Sequence, residues 1–375
     1  MKKILSIALA LLLFATGCKV VSINEWDKVD EVKIGFVGPL SGDAKSYGEP
    51  ILNAVKLAVD EINQSGGIMG KQIKLIAEDG LCEENGAQMA AQKLIDTEKV
   101  KFIIGGVCSG ETLAIAPLLN SSQAVAISPS SSSPDVTLAG DFIFRNTPSD
   151  ADIGKALANL ISKQYKTVAV ISESTDYAID LRNVFKEEYE KAGGKLVYDG
   201  LYSTMDSDFK SYIGEIKAKN PQAILINPQT EASGGKIVKQ IFEAKLDTPL
   251  FGTNVVAGAT ALEIAGKDAE GIKIVDNPSL DRDNVVADNF LTNFTAKYGQ
   301  PTFEFYLGAA YDGVYLFKQA MVSEGYDADL VKNYFYNLKN YSGIIGDYRF
   351  DKNGDLVWIQ YSVKEIKDGQ VIEID

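Results

Sequence analysis

The sequence predicts an α/β protein of two lobes, each built on a doubly wound, mainly parallel sheet. Three observations predict it. Short apolar runs alternate with stretches of helical period over residues 32–127. A second series of the same kind runs over residues 167–252, and alternation of this kind gives parallel pairing. The length of 375 residues fits two domains.

The first strand is expected at 32–37, where apolar residues alternate, and Gly38-Pro39-Leu40-Ser41-Gly42 turns the chain. Residues 49–63 place Ile51, Val55, Leu57, Ala58, Val59 and Ile62 at helical spacing, and Gly66-Gly67 ends that helix. Strands at 73–77, 102–104 and 124–127 then alternate with helices at 87–95 and 113–119. The second series has strands at 167–171, 195–198, 223–226 and 249–252 and helices at 181–191, 209–217 and 236–244. Two longer helices follow at 285–298 and 305–322. The tail, 347–374, reads as antiparallel strands with a turn at Lys352-Asn353-Gly354. No sequence repeat relates the two series.

Several function classes are excluded by composition. The net charge of −14 argues against nucleic acid, whose phosphates need a basic surface. The chain has no histidine, which removes Ser-His-Asp and Cys-His mechanisms and any imidazole metal site. Three cysteines are too few for a four-cysteine zinc site. Gly35, Gly38 and Gly42 do not match the dinucleotide fingerprint, and no phosphate-binding P-loop motif occurs. Neither a cofactor nor a metal is expected, and no enzyme is expected from a chain without a visible nucleophile–base pair.

The N-terminus reads as a processing segment. Lys2 and Lys3 precede an apolar run over 4–17 that is too short to span a bilayer comfortably. Phe14-Ala15-Thr16-Gly17-Cys18 resembles a bacterial lipobox, in which Cys18 is lipidated and becomes the first mature residue. An ordinary signal peptide cleaved near the same place is the alternative. Residues 1–17 are then a leader and 18–31 a polar tether. With Cys18 lipidated, Cys82 and Cys108 remain, and two cysteines in an oxidising compartment are expected to bond. Two buried free thiols are the other reading.

The stretch richest in binding chemistry is Val107-Cys108-Ser109-Gly110-Glu111-Thr112, which follows an apolar strand and opens a helix. Open α/β sheets bind ligands at such turns, and a helix start offers free N–H groups to an anion. Ser109 and Thr112 add hydroxyls for a carboxylate. Ser109 as a simple helix cap is the competing reading. The run Ser128-Pro129-Ser130-Ser131-Ser132-Ser133-Pro134 follows the next strand at the same end of the sheet. It is expected to converge on the same anion rather than to act as a flexible linker.

These residues together carry a family resemblance. Lys33-Ile34-Gly35, Gly38-Pro39-Leu40-Ser41-Gly42, Tyr47-Gly48, Asp60-Glu61-Ile62-Asn63, Gly66-Gly67-Ile68-Met69-Gly70-Lys71, Glu78-Asp79, Cys82, Cys108-Ser109 and Ser128-Pro129 closely resemble the substrate-binding proteins of branched-chain amino acid ABC transporters. The resemblance implies a type I periplasmic-binding-protein fold, a Venus flytrap closing on one small ligand. It implies an N-lobe of 32–148 and 280–345 and a C-lobe of 149–279 and 346–375. It implies a Cys82–Cys108 disulfide, a carboxylate site at Ser109, a ligand loop of Ser130, Ser131 and Ser132, and flanking tyrosines Tyr47 and Tyr177.

The sequence departs from the family pattern at the acid that faces the ligand ammonium. That position falls on Asn254, an amide, with Glu231 or Asp276 as candidate replacements, and the aromatic usual near 227–231 is missing. The function implied is capture of an amino acid and its delivery to a membrane permease by an exported, lipid-anchored or periplasmic monomer. Amide, urea or aromatic-acid binding, or ligand sensing, are the alternatives.

Overall fold

Strands covered by helices on both faces read as unbroken apolar runs, and the central strands here are of that kind. The computed structural model describes residues 26 and 29–374. The expectations for the leader, for Cys18 and for most of the tether therefore lie outside the described residues. The first lobe holds a five-stranded sheet of β1 (Val32–Gly38), β2 (Ile73–Asp79), β3 (Phe102–Gly105), β4 (Val125–Ser128) and β5 (Ile143–Arg145). All its pairings are parallel, in the order β2-β1-β3-β4-β5. The order reverses between β1 and β3, which opens a crevice at their carboxyl ends. The helices of this region are α1 (Lys45–Gln64), α2 (Glu84–Gln92) and α3 (Ser109–Ser122).

The second lobe repeats the plan. It holds α4 (Asp150–Ser162), β6 (Thr167–Glu173), α5 (Asp176–Lys191), β7 (Lys195–Tyr202), α6 (Lys210–Lys219), β8 (Ala223–Asn227), α7 (Glu231–Glu243), β9 (Leu250–Thr253), α8 (Ala259–Ala265) and β10 (Lys273–Asp276). Its parallel strands run β10-β9-β8-β6-β7, so this order reverses between β6 and β8. The two crevices face each other.

The chain then returns to the first lobe with α9 (Val285–Tyr298), α10 (Glu304–Glu324) and α11 (Ala328–Asn337). Phe290, Phe317 and Phe335 bury in one core with Phe36 and Ile51, so α1 and α10 cover one face of the first sheet. Ala87, Ala91, Ile115 and Leu119 form the layer on its other face. A three-stranded antiparallel sheet follows, β11 (Tyr341–Gly343), β12 (Gly346–Phe350) and β13 (Leu356–Val357). Finally β14 (Ser362–Lys367) pairs antiparallel with β10, and β15 (Gln370–Glu373) with β14. The tail is thus antiparallel, with the turn at 351–355 where Lys352-Asn353-Gly354 placed it.

One expected boundary moves. The division at 345/346 cuts between β11 and β12, yet Tyr348, Phe350 and Leu356 bury in the first core and Phe350 packs 5.1 Å from Phe144, ring to ring. Residues 346–357 therefore stay with the first lobe, and the last crossing lies between β13 and β14. The tether also ends on structure. Trp26 is buried, edge-on to Tyr326 at 6.1 Å, and so pins the chain to the first core. No helix among the described residues is long and apolar enough to cross a membrane.

Candidate functional site

Glu111 builds the first ligand turn. It sits three residues into α3 and reaches back, accepting the N–H groups of Val107 at 3.0 Å and Cys108 at 2.9 Å through one oxygen. Its other oxygen accepts the Cys82 N–H at 3.0 Å. A Cβ on Gly80 would stand 2.2 Å from that carboxylate, and one on Gly106 would stand 2.6 Å from the Glu111 Cβ, so both positions need glycine. Burial pushes the Glu111 carboxyl up to about 7, against the three N–H groups that pull it down. The Cys82–Cys108 disulfide, with Cα atoms 5.4 Å apart, closes the same knot. The turn that carries Ser109 is fixed from three directions.

The serine run is not a linker. Ser128 and Ser130 to Ser133 are all buried. Ser128 Oγ donates to the Gly106 carbonyl at 2.6 Å and accepts the Ser131 N–H at 2.9 Å. Ser130 Oγ donates to the Val107 carbonyl at 2.8 Å. Arg145, fully buried on β5, places Nη1 3.1 Å from the Ser132 carbonyl and 2.7 Å from that of Ser133, while its Nε meets Asp355 at 2.7 Å. The guanidinium draws two loop carbonyls away from the cleft.

Between the lobes lies a cavity of about 20 Å³, lined by Tyr47, Val107, Ser109, Ser130, Ser132, Tyr177, Asn254, Val255 and Tyr306, with Cys108 and Gln229. That volume holds about one water, so a larger guest enters only when the lobes part. No lining side chain is charged. Tyr47, on the first turn of α1, packs edge-on to Phe303 at 4.7 Å and Tyr306 at 5.6 Å. Tyr177, at the start of α5, bonds Thr253 at 3.1 Å. Tyr306 on α10 and Asn254 after β9 bring the two lobes together at this cavity. Burial holds the phenols of Tyr47, Tyr177 and Tyr306 well above their ordinary pKa, so all three stay neutral.

Six of the eight expected ligand residues meet here: Tyr47, Ser109, Ser130, Ser132, Tyr177 and Asn254. Ser131 does not, because its hydroxyl turns back to Thr112 Oγ1 at 2.7 Å and the Gly106 carbonyl at 3.0 Å. Thr112 is consumed in the same contact and donates nothing to the cleft. Glu231 lines only an adjoining space of about 10 Å³, and its carboxylate accepts the Thr260 N–H at 2.6 Å, capping α8. Asp276 is paired with Lys364 Nζ at 2.8 Å. Neither carboxylate lines the cavity that holds Ser109 and Asn254. Tyr306, Gln229 and Val255 were not singled out in the sequence, since only the fold brings α10 and the two second-lobe turns to Ser109.

The hydroxyl polarity differs across the cavity. Ser109 Oγ accepts the Ser133 N–H at 3.2 Å, which leaves its own hydrogen free to donate. Ser132 Oγ donates to Asp150 Oδ2 at 2.9 Å, which leaves lone pairs free to accept. The first hydroxyl suits an anion at the start of α3, and the second suits an N–H or O–H donor.

The family model for the periplasmic binding proteins matches residues 31–370. The leucine-, isoleucine-, valine-, threonine-, and alanine-binding protein of Pseudomonas aeruginosa is 28% identical over 341 residues, covering 90% of each chain. The solved branched-chain amino acid transporter substrate binding protein LivJ of Streptococcus pneumoniae, in complex with isoleucine, is 28% identical, with a TM-score of 0.83 over 92% of this chain and 100% of that one. A solute binding protein of R. palustris in complex with benzoate shares the fold, at 22% identity and a TM-score of 0.83 over 92% and 95% of the chains. These relatives are binding proteins, not enzymes. With two lobes, facing sheet crevices and a cavity between them, the chain belongs to the periplasmic binding protein family and has its two-lobed type I fold.

Proposed function

We propose that this protein is the extracytoplasmic solute-binding component of an ABC importer and captures one aliphatic α-amino acid, of the branched-chain class, between its lobes. The observation that carries the reading is the pair of opposed hydroxyls, Ser109 free to donate and Ser132 free to accept, in one cavity with apolar and aromatic walls. An α-carboxylate fits the first and an ammonium the second, while Val107, Val255, Tyr177 and Tyr306 suit an aliphatic side chain. The relatives from Pseudomonas aeruginosa and Streptococcus pneumoniae support the ligand class.

Capture involves no chemistry. The ligand meets the first-lobe turns in the open cleft, and Tyr177, Asn254 and Gln229 complete the site on closure. Only contacts made in the closed form shift the population toward it. The hinge consists of the three crossings, at about 146–149, between β10 and α9, and between β13 and β14. The closed form docks on its permease. Cys18 carries the lipid anchor, the protein is a monomer, and the tether runs from the membrane to Trp26.

A second reading is favoured by the absence of any charged side chain on the cavity wall: an aromatic acid, such as the R. palustris relative holds, needs no ammonium partner. Thermal unfolding against L-leucine, L-isoleucine, L-valine and benzoate separates the two. A ligand at 100 times its dissociation constant adds about 2.7 kcal/mol. Stabilisation by the three amino acids is expected; stabilisation by benzoate alone refutes the main reading.

A further inference from the structure

The cavity wall carries no charge, yet a carboxylate stands one bond behind it. Asp150 opens α4 at the first crossing between the lobes and is completely buried. Its backbone N–H donates to the Ser132 carbonyl at 2.7 Å, and its Oδ2 accepts the Ser132 hydroxyl at 2.9 Å. Its Oδ1 is buried with no hydrogen-bond partner. A buried oxygen anion left half-satisfied is costly unless something positive compensates it.

The groups around Asp150 do not supply that compensation in full. Arg145 is the nearest cation, but its guanidinium is spent on the Ser132 and Ser133 carbonyls, Thr137 and Asp355. Asp180 on α5 repels it. Tyr177 on α5, Tyr306 on α10 and Tyr361 are neutral phenols held up partly by the Asp150 charge. The start of α4 offers its dipole. What remains is a negative site one hydroxyl away from the ligand.

We propose that Asp150 is the specificity-determining anion of the site, answering the ligand's ammonium through Ser132 in place of the acid absent at Asn254. The inference rests on the amino-acid reading above. Ser132 gives its hydrogen to Asp150, so it must receive one from the guest, and the charge behind it makes a cationic donor preferred over a neutral one. An ammonium bound there compensates Asp150 and favours its ionised form.

The pH dependence follows. Burial raises the Asp150 carboxyl to about 7, against Ser132 and Arg145, with Asp180 adding to the rise. If ligand binds the ionised form, affinity for an ammonium-bearing ligand falls about tenfold from pH 8 to pH 6. Glu111 titrates in the same range but sits behind the carboxylate turn, so it acts alike on ligands with and without an ammonium.

Calorimetric titration of the wild type and Asp150→Asn with L-leucine and with 4-methylpentanoate, the same skeleton without the ammonium, tests this at pH 6 and pH 8. The expected result is a loss of tenfold or more for L-leucine in the variant, with its pH dependence gone and 4-methylpentanoate unaffected. Ser132→Ala, which leaves Asp150 in place, shows the same selective loss and keeps the test open if Asp150→Asn does not fold. L-leucine binding within twofold of wild type at both pH values, or equal loss of both ligands, overturns the inference. A wild type that binds 4-methylpentanoate and not L-leucine overturns the amino-acid reading as well, and the two failures are thereby distinct.

Discussion

Ser133 donates its hydroxyl to the Asp180 carboxylate, and this bond joins the ligand loop of the first lobe to α5 of the second. The same Ser133 donates its N–H to Ser109 Oγ, and its carbonyl accepts from Arg145 Nη1. One residue therefore couples closure of the lobes to the hydroxyl that awaits the ligand. The bond exists only when the lobes are together, so it favours the closed form. Its acceptor is charged, which makes it worth about 1.5–3 kcal/mol. Like charges oppose it, since Asp135 on the first lobe faces Asp176 and Asp180 on the second. Asp180→Ala is expected to raise the ligand dissociation rate severalfold with little change in association, measured by stopped-flow fluorescence.

Ser109→Ala removes the one cavity hydroxyl with a free hydrogen at the start of α3. Loss of a hydrogen bond to a carboxylate costs about 1.5–3 kcal/mol, or roughly 10–100-fold in affinity. The Ser133 N–H loses its acceptor, but Glu111 and the disulfide still hold the turn. The melting temperature of the ligand-free variant should stay within a few degrees of wild type, while titration shows the loss.

The disulfide acts on both stability and the site. Cys82 and Cys108 are separated by 26 positions, and a loop of that size confers roughly 3 kcal/mol in the chain-entropy model. The Cys82→Ser, Cys108→Ser pair is expected to lose about that much in urea unfolding. Because Cys108 immediately precedes Ser109, ligand affinity should fall too, unlike in a variant destabilised elsewhere.

Stability should fall as pH rises, the reverse of what the usual carboxylate with a depressed folded pKa contributes. Burial raises Asp312 to about 7, although its carboxylate accepts the Ile344 N–H at 3.0 Å and the Ile345 N–H at 3.2 Å. Glu111 and Asp150 are raised to about 7 as well. A carboxyl with its folded pKa raised above the unfolded value binds more protons when folded. Its stabilising contribution is complete below the unfolded pKa, near 4, and is lost as pH rises through 7. A shift of about three units is worth on the order of 4 kcal/mol. Urea unfolding should show stability falling between pH 5 and pH 8, and Asp312→Asn should flatten that slope.

What the sequence made legible was local. The turn at 107–112 is contiguous, its strand and helix are flagged by apolar period, and Ser109 lies where a helix start must lie. The alternation of elements revealed both sheets, although β5, α4, α8, β10 and α11 went unread: β5, α8 and β10 are short, whereas α4 does carry Ile153, Leu157, Ala158 and Ile161 at helical spacing. Direction within a loop was not legible. Ser131 and Ser132 are neighbours of one type, yet one bonds inward to Thr112 and the other faces the cavity. Nothing in the sequence sets Asp150 apart, and the structure shows it in the first turn of α4, after the Ser149 cap. Only the fold sets it behind Ser132, just as only the fold turns Glu231 to cap α8 and brings Tyr306 to Asn254.

A crystal structure of the L-leucine complex tests the central claim most directly, because the claim is one of polarity. The account predicts a ligand carboxylate oxygen about 2.7–3.2 Å from Ser109 Oγ and the ammonium at similar range from Ser132 Oγ, with Asp150 still on the far side of that serine. A ligand bound the other way round, or one whose ammonium lies on Asn254 or Glu231 and leaves Ser132 untouched, would contradict it.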